Sequence, residues 1–314
     1  MQPIAILCSG QGAQHAGMFD LVAQAPEAQP VFAAASAVLG EDPRDYVRRA
    51  ASDALFSNRR SQILCCTQAL AAWAALGASR PMRAVIAGYS VGELAAWGCG
   101  GLFDAATTLR IAAQRAEAMD AVAPQDGGLA GILGLPQPML ENLLVGHDAC
   151  IAIVNGVDSF VIGGLRADLE AICAQAMSGG ARHAVMIRIA VPSHTHYLAE
   201  ATPKLAAILT AAKPARPSFS YRILSGIDGD QIHDVAEAVD KLARQVSCAI
   251  DWAACLESCR SAGAQIALEL GPGSALSRMA GDLFPAGHVR SADDFRSIDG
   301  LKRWLARVME TDRR

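Results

Sequence analysis

Several shortages shape the first reading of this 314-residue chain. Charge is scarce: Asp, Glu, Lys and Arg fill 18% of positions, against 52% hydrophobic. Disordered chains are polar and highly charged, so this composition describes a folded one. Aromatics are scarcer still at 5%, so the core must be filled by Ala, Val, Leu and Ile. No basic excess exists, because the net charge is −4 and the pI is about 6.0. Nucleic acid is therefore not expected as a main partner. The nine cysteines are scattered, odd in number and free of any CxxC pair. In a chain long enough to bury a core unaided, that fits reduced thiols in the cytoplasm. Neither a disulfide framework nor a metal site is expected.

Long apolar runs are missing too, although the mean hydropathy is +0.24. A spanning helix needs about 18–20 apolar residues. Met82–Phe103 carries Arg83, Glu93 and five glycines, and the Leu64–Gly77 run is short and contains Thr67 and Gln68. The N-terminus, MQPIAILCSGQGAQ, lacks a basic start and turns polar early, unlike a signal peptide. No membrane association is expected.

What is present is an alternation of strand-like and helix-like segments. Ile4–Cys8 and Ala84–Ala87 read as short buried strands. Ser61–Leu76, Val91–Gly98 and Asp104–Asp120 read as helices. This order predicts a parallel sheet wrapped by helices. From about Pro124 the rhythm changes. Leu129–Leu135, Ala149–Val154, Phe160–Gly163 and His183–Ile189 read as strands, with helices over Gln137–Val145 and Asp168–Met177. That is a β-α-β-β-α-β order, the ferredoxin-like one. The expected architecture is α/β: an α/β-hydrolase-like parallel-sheet domain (1–124 and 192–314) holding an inserted ferredoxin-like α+β subdomain (125–191). Ile266–Leu270 is a further strand, and the tail Glu310–Arg314 is expected to fray.

One motif carries chemistry. Gly88-Tyr89-Ser90-Val91-Gly92 fits G-x-S-x-G between a strand-like run and a helical pattern. A nucleophile elbow needs that context. Its glycines permit a tight turn that lifts the serine hydroxyl clear, and the helix N-terminus behind it suits a developing oxyanion. A plain structural turn fits the same residues. A serine also needs a base. Of seven histidines, His194 and His196 follow Pro192-Ser193, where the insert returns the chain to the main domain. As an alternating pair they could also be two metal ligands, but no third is obvious.

Six ordered motifs carry a resemblance. They are Gly10-Gln11-Gly12-Ala13-Gln14, Gly88-Tyr89-Ser90-Val91-Gly92-Glu93, Arg115 with Met119, Val191-Pro192-Ser193-His194, Arg244-Gln245 with Asp251-Trp252, and Glu269-Leu270-Gly271-Pro272-Gly273. Together they resemble the malonyl-CoA:acyl-carrier-protein transacylases and polyketide acyltransferase domains over nearly the whole chain.

The resemblance implies roles. Ser90 would be the nucleophile and His194 its base, with the backbone carbonyl of Gln245 holding the imidazole. The amides of Gln11 and Val91 would form the oxyanion hole. Arg115 would bind the malonyl carboxylate, Asn155 would lie near the acyl-CoA channel, and Gln68 would line the pocket or support packing. The partners implied are malonyl-CoA, as substrate, and an acyl carrier protein with its phosphopantetheine arm. No cofactor is implied. Arg182, Arg188, Lys204 and Arg278 are candidates for a basic rim facing an acidic carrier.

Departures from the family pattern also stand out. Tyr89 replaces a histidine, Cys8-Ser9 replaces Phe-Pro, Ser247-Cys248-Ala249 replaces Tyr-Asn-Pro, and His196 is an extra histidine. The first two touch the pocket wall. They admit a pathway-specific relative of polyketide or malonate decarboxylase type. A serine thioesterase and an inactive carrier-docking protein are the rival readings.

Overall fold

The structure, a computed structural model, describes residues 2–311. In chain order its strands are β1 (Ile4–Cys8), β2 (Ala84–Gly88), β3 (Gly127–Leu133), β4 (Ala149–Gly156), β5 (Ser159–Leu165), β6 (His183–Met186), β7 (Tyr221–Ile223), β8 (Ile250–Asp251), β9 (Ala267–Glu269) and β10 (Val289–Ser291). Every residue of β1 and β2 is buried. Strands covered on both faces by helices have that character, which is why these two read as unbroken apolar runs. The main sheet has the order β10-β9-β1-β2-β7, and all its pairings are parallel. Parallel strands end at one edge, so the segments after β1, β2 and β9 converge there. Open α/β sheets place their ligands at that edge.

Helix Asn58–Leu76 runs through the centre of the main unit. It is longer than the apolar run expected from sequence. With the turn that follows, Asn58–Ser79 is long and apolar enough to cross a membrane, yet 83% of its most apolar window is buried inside the fold. Its many Ala and Cys residues let neighbours approach closely, and a helix apolar all round belongs in a core. It packs against helices Gln29–Leu39, Gly92–Cys99 and Ala105–Asp120. Asp104 caps the last of these by accepting from Thr107 N at 2.7 Å.

The second sheet has the order β6-β3-β5-β4-β8. Within residues 125–191 its four strands, numbered by their own sequence, run 4-1-3-2, with antiparallel neighbours. Strand residues alternate between faces. Ala130, Ile132 and Phe160 face helices Gln137–Leu144 and Arg166–Ser178 through Leu140, Leu169 and Ile172. Leu129, Ile153 and Val161 face the main unit at Val85, Ala87 and Trp252. The separation at residue 191 is incomplete, because β8 adds to β4 as a parallel fifth strand. The strand expected through Ile189 ends at Met186; Ile187 still donates to Leu129 O at 2.8 Å, and Ile187 and Ile189 line the cleft. Helix Ile298–Thr311 includes Glu310, and the rest of the expected frayed tail lies outside the described residues.

Candidate active site

The turn after β2 is built by exclusion. A Cβ on Gly88 would lie 2.1 Å from Glu93 N, and one on Gly92 would lie 2.1 Å from Cys8 O. Only glycine fits either position. Between them Ser90 has φ 56, in the left-handed region that non-glycine residues rarely occupy. His194, on the chain leaving the small unit, has φ 65. Two strained residues facing each other mark a site where backbone cost is held by the surrounding structure.

Ser90 Oγ lies 2.8 Å from His194 Nε2, and His194 Nδ1 lies 2.6 Å from the Gln245 carbonyl oxygen. A carbonyl only accepts, so Nδ1 carries the proton and the Nε2 lone pair faces the serine. His194 N also donates to Val246 O at 2.8 Å. Burial pushes the His194 pKa down to about 3, the positive charge of Arg115 adds to this, and the Gln245 carbonyl opposes it. The imidazole is therefore neutral at neutral pH.

Behind the pair lies a buried polar network. Arg115, 1% exposed, donates from Nη1 to Gln62 Oε1 (2.8 Å) and from Nη2 to Gln245 Oε1 (3.0 Å). Its Nε has no partner among the described residues. Gln245 Nε2 donates to Glu93 Oε2 (2.5 Å) and to Ser90 O (3.1 Å), and Gly226 N donates to Glu93 Oε2 (3.0 Å). Burial raises the Glu93 carboxyl to about 7, against the pull of these donors and of Arg115. Asn58 Oδ1 accepts from Gln62 Nε2 (2.8 Å) and from Gln11 Nε2 (3.3 Å), tying the network to the first loop.

That loop is pressed onto the elbow. A Cβ on Gly10 would sit 2.7 Å from Tyr89 O. Gln14 holds the loop from below, accepting from Gly12 N (2.6 Å) and donating to Ser61 Oγ (2.6 Å). The amides of Gln11 and Val91 make no backbone hydrogen bond among the described residues. Glu269 accepts from Ser9 Oγ (2.8 Å) and Ser277 N (2.8 Å), fixing the turn after β9 against the same loop.

A cavity of about 330 Å³ opens between the two units onto Gln11, Ser90 and His194. The small unit contributes Ile153, Val161 and Ile187 to its wall. A larger hollow of about 1370 Å³ lies beside Arg83 and Arg222, at the opposite end of β2 and β7, and holds none of these groups. The smaller cavity is where the chemistry can occur.

The structure thus brings Ser90, His194, Gln245, Gln11 and Val91 together, and three other expected residues are not among those lining the cavity. Arg115 is buried but does not line the cavity, and reaches the pair through Gln245. Asn155 is near the Tyr89 hydroxyl, its buried Oδ1 without a hydrogen-bond partner among the described residues, and Tyr89 packs edge-on against Trp252 at 5.5 Å. Gln68 lies beneath Gly271 and donates to Asp293 Oδ1 (2.7 Å), which braces the Gly271–Gly273 turn. Gln62 was not singled out from sequence, and Glu93 was quoted in the elbow motif without a role of its own. Asn58 and Gln62 carried a usable signal, two amides one turn apart at the polar start of a helix that is mostly apolar further on.

Of the expected rim, Arg278 lines the cavity, Arg182 pairs with Asp158 (2.6 Å), and Arg188 lies over the Phe56 ring. His196 is exposed and faces Asp148 at 3.3 Å, while His194 is taken up by Ser90 and Gln245.

Fold and site together define an α/β protein of the nucleophile-elbow class, its serine facing a histidine held by a main-chain carbonyl. Within that class, the chain belongs to the acyl transferase domain family, whose model matches residues 6–278. It is 29% identical over 292 residues to the malonyl CoA-acyl carrier protein transacylase of Escherichia coli, covering 88% of this chain and 91% of that protein. The Salmonella typhimurium protein of the same name is 28% identical over 284 residues, with the same coverage. Among solved structures, the acyl-carrier-protein S-malonyltransferase of Burkholderia pseudomallei matches with a TM-score of 0.87 and 26% identity, over 96% of this chain and 99% of that one.

Proposed function

We propose that this chain moves a malonyl group from malonyl-CoA to the phosphopantetheine thiol of an acyl carrier protein, through an ester on Ser90. The observation that carries this reading is the relay from Ser90 Oγ to His194 Nε2 (2.8 Å) and from His194 Nδ1 to Gln245 O (2.6 Å). His194 takes the serine proton as Oγ attacks the thioester carbon. The carbonyl oxygen, now negative, is received by the amides of Gln11 and Val91. The C–S bond then breaks, and His194 returns the proton to the departing CoA thiolate. In the second half-reaction His194 deprotonates the carrier thiol, the thiolate attacks the Ser90 ester, and the proton goes back to Ser90 Oγ. The kinetics are ping-pong.

The names of the related proteins support the choice of acyl group and acceptor. Arg115 supports it independently. Its unpaired Nε–H is a donor that a dicarboxylic acyl group can use, reached once the neighbouring glutamines give way. Arg278 at the cavity supplies positive charge for the anionic CoA or carrier. The reading needs no metal or cofactor, since acyl-CoA is a substrate.

The test is intact-mass analysis after mixing with a panel of acyl-CoAs, then with a phosphopantetheinylated carrier. A malonyl adduct on Ser90, discharged by the carrier, is the expected result. CoA release at full rate without carrier makes the protein a thioesterase. Absence of any adduct leaves a docking protein. An adduct with another acyl-CoA in preference to malonyl assigns it to a different pathway.

A further inference from the structure

A peptide group has two ends, and the far ends of both oxyanion peptides are held by side chains. The N–H of Gln11 belongs to the Gly10–Gln11 peptide, whose oxygen accepts from the Cys65 thiol at 3.3 Å. The N–H of Val91 belongs to the Ser90–Val91 peptide, whose oxygen accepts from Gln245 Nε2 at 3.1 Å and from Glu93 N at 3.0 Å. Both peptides are trans. In a trans peptide C=O and N–H lie in one plane and point opposite ways. Holding the oxygen therefore aims the N–H.

Resting on the acyl-transfer reading, we propose that Cys65 and the Gln245 side chain are positioning residues of the oxyanion site. Each clamps the carbonyl of the peptide whose N–H faces the reacting oxygen. Gln245 would then serve twice: its main chain holds His194 and its side chain holds the elbow. The orientation of that amide is dictated by its neighbours. Arg115 can only donate and faces Oε1, while Glu93 lies against Nε2. The Arg115 guanidinium and the Glu93 carboxyl oxygen thereby lock the carboxamide in the one sense that offers an N–H to Ser90 O.

Cys65 is wholly buried on helix Asn58–Leu76, and burial holds its thiol far above the usual range. It keeps its proton and remains a donor. The loop has little freedom to settle elsewhere, because it runs so close to the elbow that a Cβ on Gly10 would lie 2.7 Å from Tyr89 O.

The test uses an alkyl fluorophosphonate, which forms a tetrahedral adduct on an activated serine and carries no malonyl group. Cys65→Ala and Gln245→Met each remove a clamp and leave the main-chain carbonyl to His194 in place. Each should slow phosphonylation of Ser90 about tenfold, a fraction of the roughly 100- to 1000-fold lost when an oxyanion donor is deleted outright. The probe concentration at half-saturation should not move, because the clamps act on the transition state. Cys65→Ser retains a donor and the polar volume, and should fall between wild type and Cys65→Ala. Phosphonylation at the wild-type rate in both clamp variants overturns the proposal. So does Cys65→Ser reacting as slowly as Cys65→Ala. A wild-type protein that takes the phosphonate but no malonyl group refutes the function proposed above and leaves this test intact.

Discussion

Replacing Arg115 with Ala separates carboxylate reading from general disruption. The guanidinium now makes one bond to Gln62 and one to Gln245, and keeps Nε–H unpaired. A carboxylate hydrogen-bonded there gains roughly 1.5–3 kcal/mol, the range for a charged partner. At about 1.4 kcal/mol per decade, that is a preference of about tenfold to a hundredfold for malonyl over acetyl. The substitution also strands two buried amide oxygens, at about 1–3 kcal/mol each. Because Gln245 touches both Ser90 and His194, acetyl transfer must fall as well. The ratio is therefore the diagnostic. Single-turnover acylation of Ser90, followed by intact mass with malonyl-CoA and acetyl-CoA, measures it. The malonyl rate should fall at least about tenfold further than the acetyl rate, on the same charged-bond figure. Equal losses would refute the reasoning and leave Arg115 a purely structural cation.

Four further outcomes are expected. Gly92→Ala sets a Cβ 2.1 Å from Cys8 O, so it should cost roughly 3 kcal/mol or more, and an unchanged urea midpoint would contradict the packing. His194 is pushed down to about 3 from 6.5, so acylation should show no acid limb near 6.5, and kcat/KM against pH checks this. The same shift makes the unfolded chain bind a proton first as pH falls from 6.5 to about 3, so His194 draws stability down across that window. Glu93 acts with the opposite sign. Its folded pKa of about 7 exceeds the ordinary 4.5, so its contribution is present below 4.5 and lost as pH rises through about 7. Glu93→Gln should therefore gain Tm relative to wild type between those values, and a relative loss there would reverse the assignment.

The parts legible in the sequence are those whose causes are local. β1, β2 and the elbow are short apolar runs stopped by glycines, and their turn residues answer to clashes within a few positions. β8 is two residues long and has no period to read, yet it closes the second sheet. The network behind the serine was hidden for another reason. Its bonds join residues 53, 130 and 152 positions apart, and an arginine on a helix carries no sign of which glutamines will meet it. Gln68 illustrates the converse: the same kind of residue on the same helix, six positions further on, faces Asp293 instead.

The addition of β8 to β4 has a mechanical consequence. Residues 245–246 are bonded twice to His194, and β8 begins only a few residues later. The base and the carbonyl that steadies it are thus both stitched to the small unit, one through the chain leaving it and one through its borrowed edge strand. The nucleophile and the anion-receiving loop are anchored in the parallel sheet. Gln245 joins the two sets, because its side chain bonds Ser90 O, Glu93 and Arg115 while its carbonyl holds His194. The proton-transfer geometry at Ser90–His194 therefore depends on the join between the two sheets as well as on the elbow itself.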